Sequence, residues 1–593
     1  MSITIPSSAA ASKLELAGPK QQVAETLLDV LRAHPQNRIL LLATIYVLHY
    51  LGARQKQTAE LFGCTTRAIR YINREVKASQ RGEGKTGRPV QPTTPTATGP
   101  RTLCYSIYAG LWLLLPMLLD SDLLSFCQHL HLAVPVLAVV PWQWVLTMMV
   151  LAWIGFSRPH HLNDLCDSGL ALFTGRSVVL DASRAGKVMH AISAADEEAF
   201  YQATAQQEWH DITPAQPWLS SDEHTVGHQG GPAMPKSRVP RFGRVRGAHQ
   251  LIGTFVLGVR RFVGLVVGQA NLKLCHTAVD SLSEARTHQQ QAQPSAKGLR
   301  AILDRGSYKG STHQGLQLLK EQNVQYLALA RRTKKNVAQW EALLNSEQMV
   351  LEPYTHHHDL VLPEAERRTN FVLAVCQTQI KDCAMPVPTV LIIDQDKRQD
   401  VDLKAKYVAA FFGTLDLTPG LQAQVYPSRQ EHELAYRDLI HALGFDALPK
   451  GYRKTKPDKH LADPEQGTEL DTKDIFLVSW LRFLAYNRVT QFLAHLPEAY
   501  QRMTVLTAAR KFLCRPGVLL IHEGCLIVRL DPFPDSDALS DYLAWVNERG
   551  LPIPWMKGLI LRIEIADQPA IPPLSLAQKR KLLSSPEQAA FSV

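Results

Sequence analysis

At 593 residues the chain is too long for one hydrophobic core, and roughly three or four domains are expected. Its 46% hydrophobic and 20% charged residues are those of an ordinary globular protein, and a formal net charge of +10 makes a polyanionic partner a natural expectation. Nine cysteines are scattered without a CxxC pair, which excludes zinc-finger spacing and a disulfide framework and points to a reducing compartment.

The opening "MSITIPSSAAASKLELAG" lacks a basic start followed by an apolar run, so no secretory signal is expected. Residues 1–81 read as a helical N-terminal domain, and the Gly-, Pro- and Thr-rich stretch 82–101 reads as a linker. An apolar helical domain follows over 102–176, with oily runs at 103–119 and 132–156. The second run is long enough to cross a bilayer. Its two prolines and Gln143, with no polybasic flank, favour helices buried in a protein core, and no stable membrane association is expected.

From 177 the chain turns to short β-rich runs: "WLSSDEHTV", "QLIGTFVLGV" and "RFVGLVVGQ". A polar helix near 277–293, the strand "AILD", a second amphipathic stretch and the strand "VQYLALARR" complete the pattern. That order predicts a multidomain α/β protein with a mixed sheet over 177–332. A separate β-rich block is expected over 333–421, with strands "NFVLAVCQTQ" and "TVLIIDQDK". Helices resume over 422–510, and 511–593 carries a hairpin, "GVLLIHEGCLIVRLDPF", one more strand and a polar tail.

"TAELFGCTTRAIRYI" fits a helix-turn-helix. Ala59 is small where the helices cross, Gly63 supplies the positive φ of the turn, and Ile69 and Ile72 face inward. The second helix would present Arg67, Arg70 and Arg74 to DNA; a plain helical hairpin is the alternative. Between His224 and Val279 there is no acidic residue. Lys236, Arg238, Arg241, Arg244, Arg246, Arg260, Arg261 and Lys273 fall within that stretch, enough for a cationic wall along a cleft.

Two acids sit on predicted strands: Asp222 early in the first and Asp304 at the end of "AILD". Tyr426, Arg429 and Glu433 follow at i, i+3 and i+7, one face of a helix. Three carboxylates brought together suit two Mg²⁺ ions about 3.5–4 Å apart, with Mn²⁺ able to substitute. Asp181 and Glu223 compete with Asp222 for the first position, and strand alternation allows only one of Asp222 and Glu223 to serve.

These residues, with "DEHTV", "LDRGSYKG", the Y(2)R(3)E spacing and "LGFDALPK", resemble the DDE transposases of bacterial insertion sequences, over roughly 177–500. The resemblance implies a ribonuclease H-like mixed sheet with a β-rich insertion at 333–421, preceded by helical DNA-binding domains. It further implies that Asp222, Asp304 and Glu433 are the catalytic metal ligands and that Tyr426 and Arg429 position phosphates. Double-stranded DNA at transposon ends and target would be the partner, bound by a homo-oligomer, a dimer in the synaptic complex, in the bacterial cytoplasm at the nucleoid. Where the family usually has lysine seven residues after the glutamate, this chain has Ile440; Arg437, one turn earlier, is the candidate replacement. The alternative function is a DNA-binding regulator with an inactive ribonuclease H-like fold. His356, His357 and His358 in "YTHHHDL", and Asp394 and Asp396 in "DQDKRQD", read as surface loop and turn.

Overall fold

The structure, a computed structural model, describes residues 14, 16, 19–33, 44–45, 47–48, 51, 53–64, 66, 69, 100–131, 139–213, 216–227, 236–239, 243–269, 274–304, 319, 321–330, 332–346, 349–356, 363–378, 387–399, 408–414, 417–449 and 473–570. The chain divides into two compact units. The smaller comprises Met1–Pro100, His131–Pro141 and Ser183–Ser193. There α1 (Pro19–Ala33) turns Ala24, Leu28 and Leu31 inward, at i, i+4 and i+7, into a core with Leu48, Ala59, Phe62 and Ile69. The next helix, α2 (Gln55–Leu61), is closed by Gly63 at φ +61° and by the Cys64 amide donating to the Ala59 carbonyl at 2.9 Å. Of the expected second helix, Thr66 and Ile69 are helical; Arg67, Arg70 and Arg74 lie outside the described residues.

The larger unit starts with β1 (Arg101–Ser106) and a buried helical run, Ala109–Asp120, then α3 (Pro141–Trp153) and α4 (Ala194–Gln207). Next come β2 (Trp218–Gly227), β3 (Lys236–Val239), β4 (Arg244–Val256), β5 (Arg261–Gln269), α5 (Leu274–Ala292), β6 (Leu299–Leu303) and β7 (Val324–Leu329). Then follow α6 (Lys334–Asn345), β8 (Leu351–Pro353), β9 (Phe371–Thr378), β10 (Val387–Asp394), β11 (Val408–Gly413), α7 (Pro419–Val425), α8 (Gln430–Ala442) and α9 (Lys473–Ala494). The chain closes with β12 (Gly517–His522), β13 (Cys525–Leu530), α10 (Ser540–Glu548) and β14 (Ile560–Ile565).

In the large sheet β4 pairs antiparallel with β5 and β2, and β2, β6 and β7 run parallel. The expected separate block is instead an extension of this sheet. Phe411, Phe412 and Gly413 of β11 pair antiparallel with β7, and β10, β9 and β8 continue outward. Gly413 allows this: a Cβ there would lie 2.0 Å from the Tyr326 carbonyl oxygen. Apolar side chains on one face of the sheet, among them Leu219, Ala301, Ala328 and Leu391, meet Leu282 of α5 and Trp340 of α6.

A second, four-stranded sheet orders β1, β12, β13 and β14, with the expected hairpin β12–β13 at its centre. Strand β1 pairs with β12, so the apolar helical region and the C-terminal strands share one sheet. The helices of that region are buried in protein, with Trp144 and Trp153 of α3 nearly inaccessible. Among the described residues no single helix is long and apolar enough to cross a membrane, although a bent pair, Ala109–Asp120 with Leu123–His129, passes on length and composition.

Helices α4 and α5 are joined by Gln202, whose amide donates to Glu284 at 3.0 Å and whose carbonyl oxygen lies 2.5 Å from the His288 ring. Burial pulls the His288 imidazole down to about 4 from its usual 6.5. The unfolded chain therefore binds a proton that the folded chain refuses. The contribution of this group to stability is complete above about 6.5 and is lost progressively as pH falls toward 4. His288→Gln, which does not titrate, is expected to flatten that acid slope in urea unfolding series run at successive pH values.

Candidate active site

Three carboxylates from distant parts of the chain surround one guanidinium. Asp222 lies within β2; Asp304 directly follows β6, which pairs in parallel with β2 at Trp218–Arg300 through Ser220–Ile302. Glu433 is in the first turn of α8. Arg429 Nη1 donates to Asp222 Oδ2 at 3.0 Å, and Arg429 Nη2 donates to Glu433 Oε1. Tyr426 Oη donates to Asp304 Oδ1 at 3.3 Å. Glu223, the neighbour that competes in sequence, is exposed, as strand alternation requires. Asp181 lies on no strand; it directly precedes a helix, Ala182–Ala191, because the "VVL" run before it pairs with nothing in either sheet.

Tyr426 and Arg429 do not share the regular helix with Glu433, as their spacing suggested. Residues Tyr426–Arg429 form one tighter 3₁₀ turn between α7 and α8. Pro427 is the cause: it has no N–H to donate and sits where a helix starts. The turn lets both side chains reach back to the sheet. Tyr426 packs at a tilt against Phe411 of β11, ring centroids 4.8 Å apart, while its hydroxyl meets Asp304.

Burial raises the Asp222 carboxyl to about 6; Arg429 and the Glu223 amide oppose the rise, and Asp304 and Glu433 add repulsion. Burial works against the Arg429 charge, but Asp222, Tyr426, Asp304 and Glu433 outweigh it and hold the guanidinium above its ordinary value. Tyr426 is likewise held well above the usual phenol value by burial and by the charge of Asp304.

A residue that sequence reading missed fixes the first acid. Tyr436 Oη accepts from the Gly253 amide at 2.8 Å and donates to the Asp222 carbonyl at 3.0 Å, and Asp222 and Gly253 are register partners across β2 and β4. The hydroxyl thus ties α8 to the sheet at the acid's own backbone. Gly253 makes room, since a Cβ there would come 2.8 Å from that hydroxyl. Glycine inside the apolar run "LIGTF" was the available signal of a close approach. Beneath it Phe255, His432 and Tyr436 stack, and Phe262, itself stacked on Phe483, meets His432 and Tyr436 edge-on; burial keeps the His432 imidazole neutral, down to about 3. His224, on the same strand face as Asp222, is held by Asp446 at 2.8 Å and stacks on Tyr436.

No family model and no curated protein matches this chain. Among solved structures it is similar to a piggyBac transposase in a synaptic complex with hairpin DNA, at 8% identity and a TM-score of 0.33, covering 70% of this chain and 82% of that one.

The donors are all carboxylate oxygens, the hard ligands Mg²⁺ and Mn²⁺ prefer. Their chemistry therefore fits a divalent ion. In the observed arrangement, however, no group of three or more His, Cys, Asp or Glu among the described residues is placed to hold a metal, and Arg429 stands between two of the three acids.

The remaining candidates divide. Arg437 is exposed on α8 one turn beyond Glu433, and Ile440 is half-buried. Lys236 and Arg238 lie on β3 and Arg244 and Arg246 on the paired part of β4, so their backbones form one antiparallel ribbon; Arg241 and Lys273 lie outside the described residues. Arg260 and Arg261 do not belong to a cationic wall. Arg260 donates to the Gln501 and Met503 carbonyls and pairs with Asp438; Arg261, 5% exposed, donates to the Glu208 carbonyl. Being at the tight β4–β5 turn, both are drawn inward as braces. His357 and His358 lie outside the described residues, while His356 packs on Phe371 at 4.7 Å. Asp394 is a buried cap rather than a solvated turn, accepting from the Lys397 amide at 3.2 Å and pairing with Lys397 Nζ at 2.8 Å.

Proposed function

We propose that this chain is a DNA transposase of the DDE type, with a ribonuclease H-like catalytic core that hydrolyses a strand at the transposon end and then joins the freed 3′-hydroxyl to target DNA. The observation that carries the reading is the convergence of Asp222, Asp304 and Glu433, from β2, the end of β6 and α8, on the Tyr426–Arg429 turn. The antiparallel β4–β2 pair beside the parallel β2–β6 pair, with one acid on β2 and another directly after β6, supports the reading.

Asp222, Asp304 and Glu433 would hold two Mg²⁺ ions, or Mn²⁺, which when bound supply charge neutralisation at the phosphate and activation of the attacking oxygen. The chain's own groups do the rest. Arg429 and Tyr426 offer N–H and O–H donors beside the acids, suited to non-bridging phosphate oxygens. Tyr436 and Gly253 keep the β2 carboxylate and α8 in fixed register. The helix-turn-helix with Arg67, Arg70 and Arg74, and the ribbon with Lys236, Arg238, Arg244 and Arg246, would carry sequence-independent and end-specific contacts to double-stranded DNA. A dimer would join two ends, in the bacterial cytoplasm at the nucleoid.

The test uses duplexes carrying the sequences that flank the coding region. Mg²⁺-dependent nicking at the element boundary, abolished by EDTA, is expected. End binding should weaken steeply with salt, with a slope of about −0.9 per phosphate neutralised. Salt-sensitive binding with no nicking in Mg²⁺ or Mn²⁺ would replace this reading by the regulator with an inactive core, the outcome for which Ile440 in place of lysine gives a reason.

A further inference from the structure

Arg429 stands where two acids need a cation. Its Nη1 edge reaches Asp222 at 3.0 Å and its Nη2 edge Glu433, so one planar group spans two carboxylates that come from separate elements. Its side chain is only 15% exposed, and that of Asp222 18%. Without the guanidinium, the largely buried Asp222 carboxylate would lose the countercharge that offsets its desolvation while Asp304 and Glu433 still repel it. An oxygen lone pair engaged by a guanidinium N–H is not free for a metal, and a divalent ion beside a guanidinium meets like-charge repulsion.

We infer that Arg429 is a resident counter-cation of the acid cluster, released when divalent ions enter and then free to take a DNA phosphate, so that metal loading and DNA binding promote each other. The inference rests on the metal-site reading above. Because the coupling runs through one side chain with two alternative anionic partners, it is reciprocal: DNA that draws Arg429 away tightens metal binding, and metal that expels it tightens DNA binding. The guanidinium's planar fork suits a phosphate as well as it suits a carboxylate. Each set of contacts is lost as the other forms, which makes the side chain a switch rather than a shared ligand.

Mn²⁺ binding to the full chain, followed by the electron paramagnetic resonance signal of the free ion, tests this with and without a short mixed-sequence duplex. In the parent the duplex is expected to tighten Mn²⁺ binding about tenfold, within the range typical of coupled sites. Arg429→Gln should bind Mn²⁺ more tightly than the parent when DNA is absent, and gain less than about twofold from the duplex. It should also melt below the parent in EDTA and be raised further than the parent by Mn²⁺, a readout independent of catalysis. Arg429→Lys, whose ammonium is a single point charge, should fall between the two, and it decides the matter where the Gln variant does not fold.

Equal Mn²⁺ affinity of parent and Arg429→Gln without DNA, or equal tightening by the duplex, would overturn the inference while leaving the metal site standing. Failure of parent and variants alike to bind Mn²⁺ would overturn the metal-site reading itself.

Discussion

Asp304→Asn is expected to cut strand cleavage by more than about a thousandfold while leaving end binding and the fold intact. The substitution keeps the shape of the side chain and an acceptor oxygen for Tyr426 Oη, 3.3 Å away in the parent, so the strand end and the turn should hold. It removes the negative charge, and with it the hard anionic ligand that the proposed metal site requires and a neutral amide replaces poorly. Asp222→Asn and Glu433→Gln should fall with it. Under the proposed function these three act as one unit, and losses from such units do not add: the double variants should be little worse than the singles. Glu223→Gln is the control, since Glu223 is exposed on the strand face opposite Asp222 and should cleave as the parent does. Gel resolution of nicked end DNA, beside binding isotherms for the same duplex, separates lost chemistry from lost recognition. Parental cleavage by Asp304→Asn would remove that acid from the mechanism.

The legible parts of this site were those with a local signature. "AILD" has a buried strand's pattern and ends in an acid, and β6 and Asp304 follow it. Alternation in "WLSSDEHTV" separates Asp222 from Glu223, and the inward pattern of "EHELAYRDLIHA" marks α8. What local pattern could not carry was pairing across long separations. Nothing near Arg101–Ser106 announces a partner at Gly517–Ile521, and nothing in 333–421 says that β11 will dock on β7 rather than found a sheet of its own. Arg260 and Arg261 depart from the cationic wall for the same reason. An arginine at a hairpin reads as surface until the partner is known, and the partners of Arg260 and Arg261 lie in residues 208–211 and 438–503. Tyr436 was hidden likewise: its role depends on a glycine 183 positions away.

Arg488→Met is expected to cost about 3–5 kcal/mol of stability without changing Mn²⁺ affinity in the folded chain. Arg488 on α9 and Glu208 just after α4 are both almost inaccessible, their side chains 2% exposed, and they form an ion pair. Glu208 Oε2 also accepts from Asn487 Nδ2 at 2.9 Å, and Arg261 Nε lies 3.7 Å from the same oxygen. Arg488 Nη1 reaches the Met117 carbonyl at 3.4 Å, so the network ties α9, the end of α4, the start of β5 and the Ala109–Asp120 run. Removing the arginine alone leaves a carboxylate in a dry interior with less countercharge, whereas removing both charges leaves none. The double variant Glu208→Gln with Arg488→Met keeps an acceptor for Asn487 and should recover most of the loss. Urea unfolding of parent, singles and double gives the coupling directly. A single-variant loss below about 1 kcal/mol, the level of an exposed pair, would mean that water reaches Glu208 and that these elements are held by their apolar contacts alone.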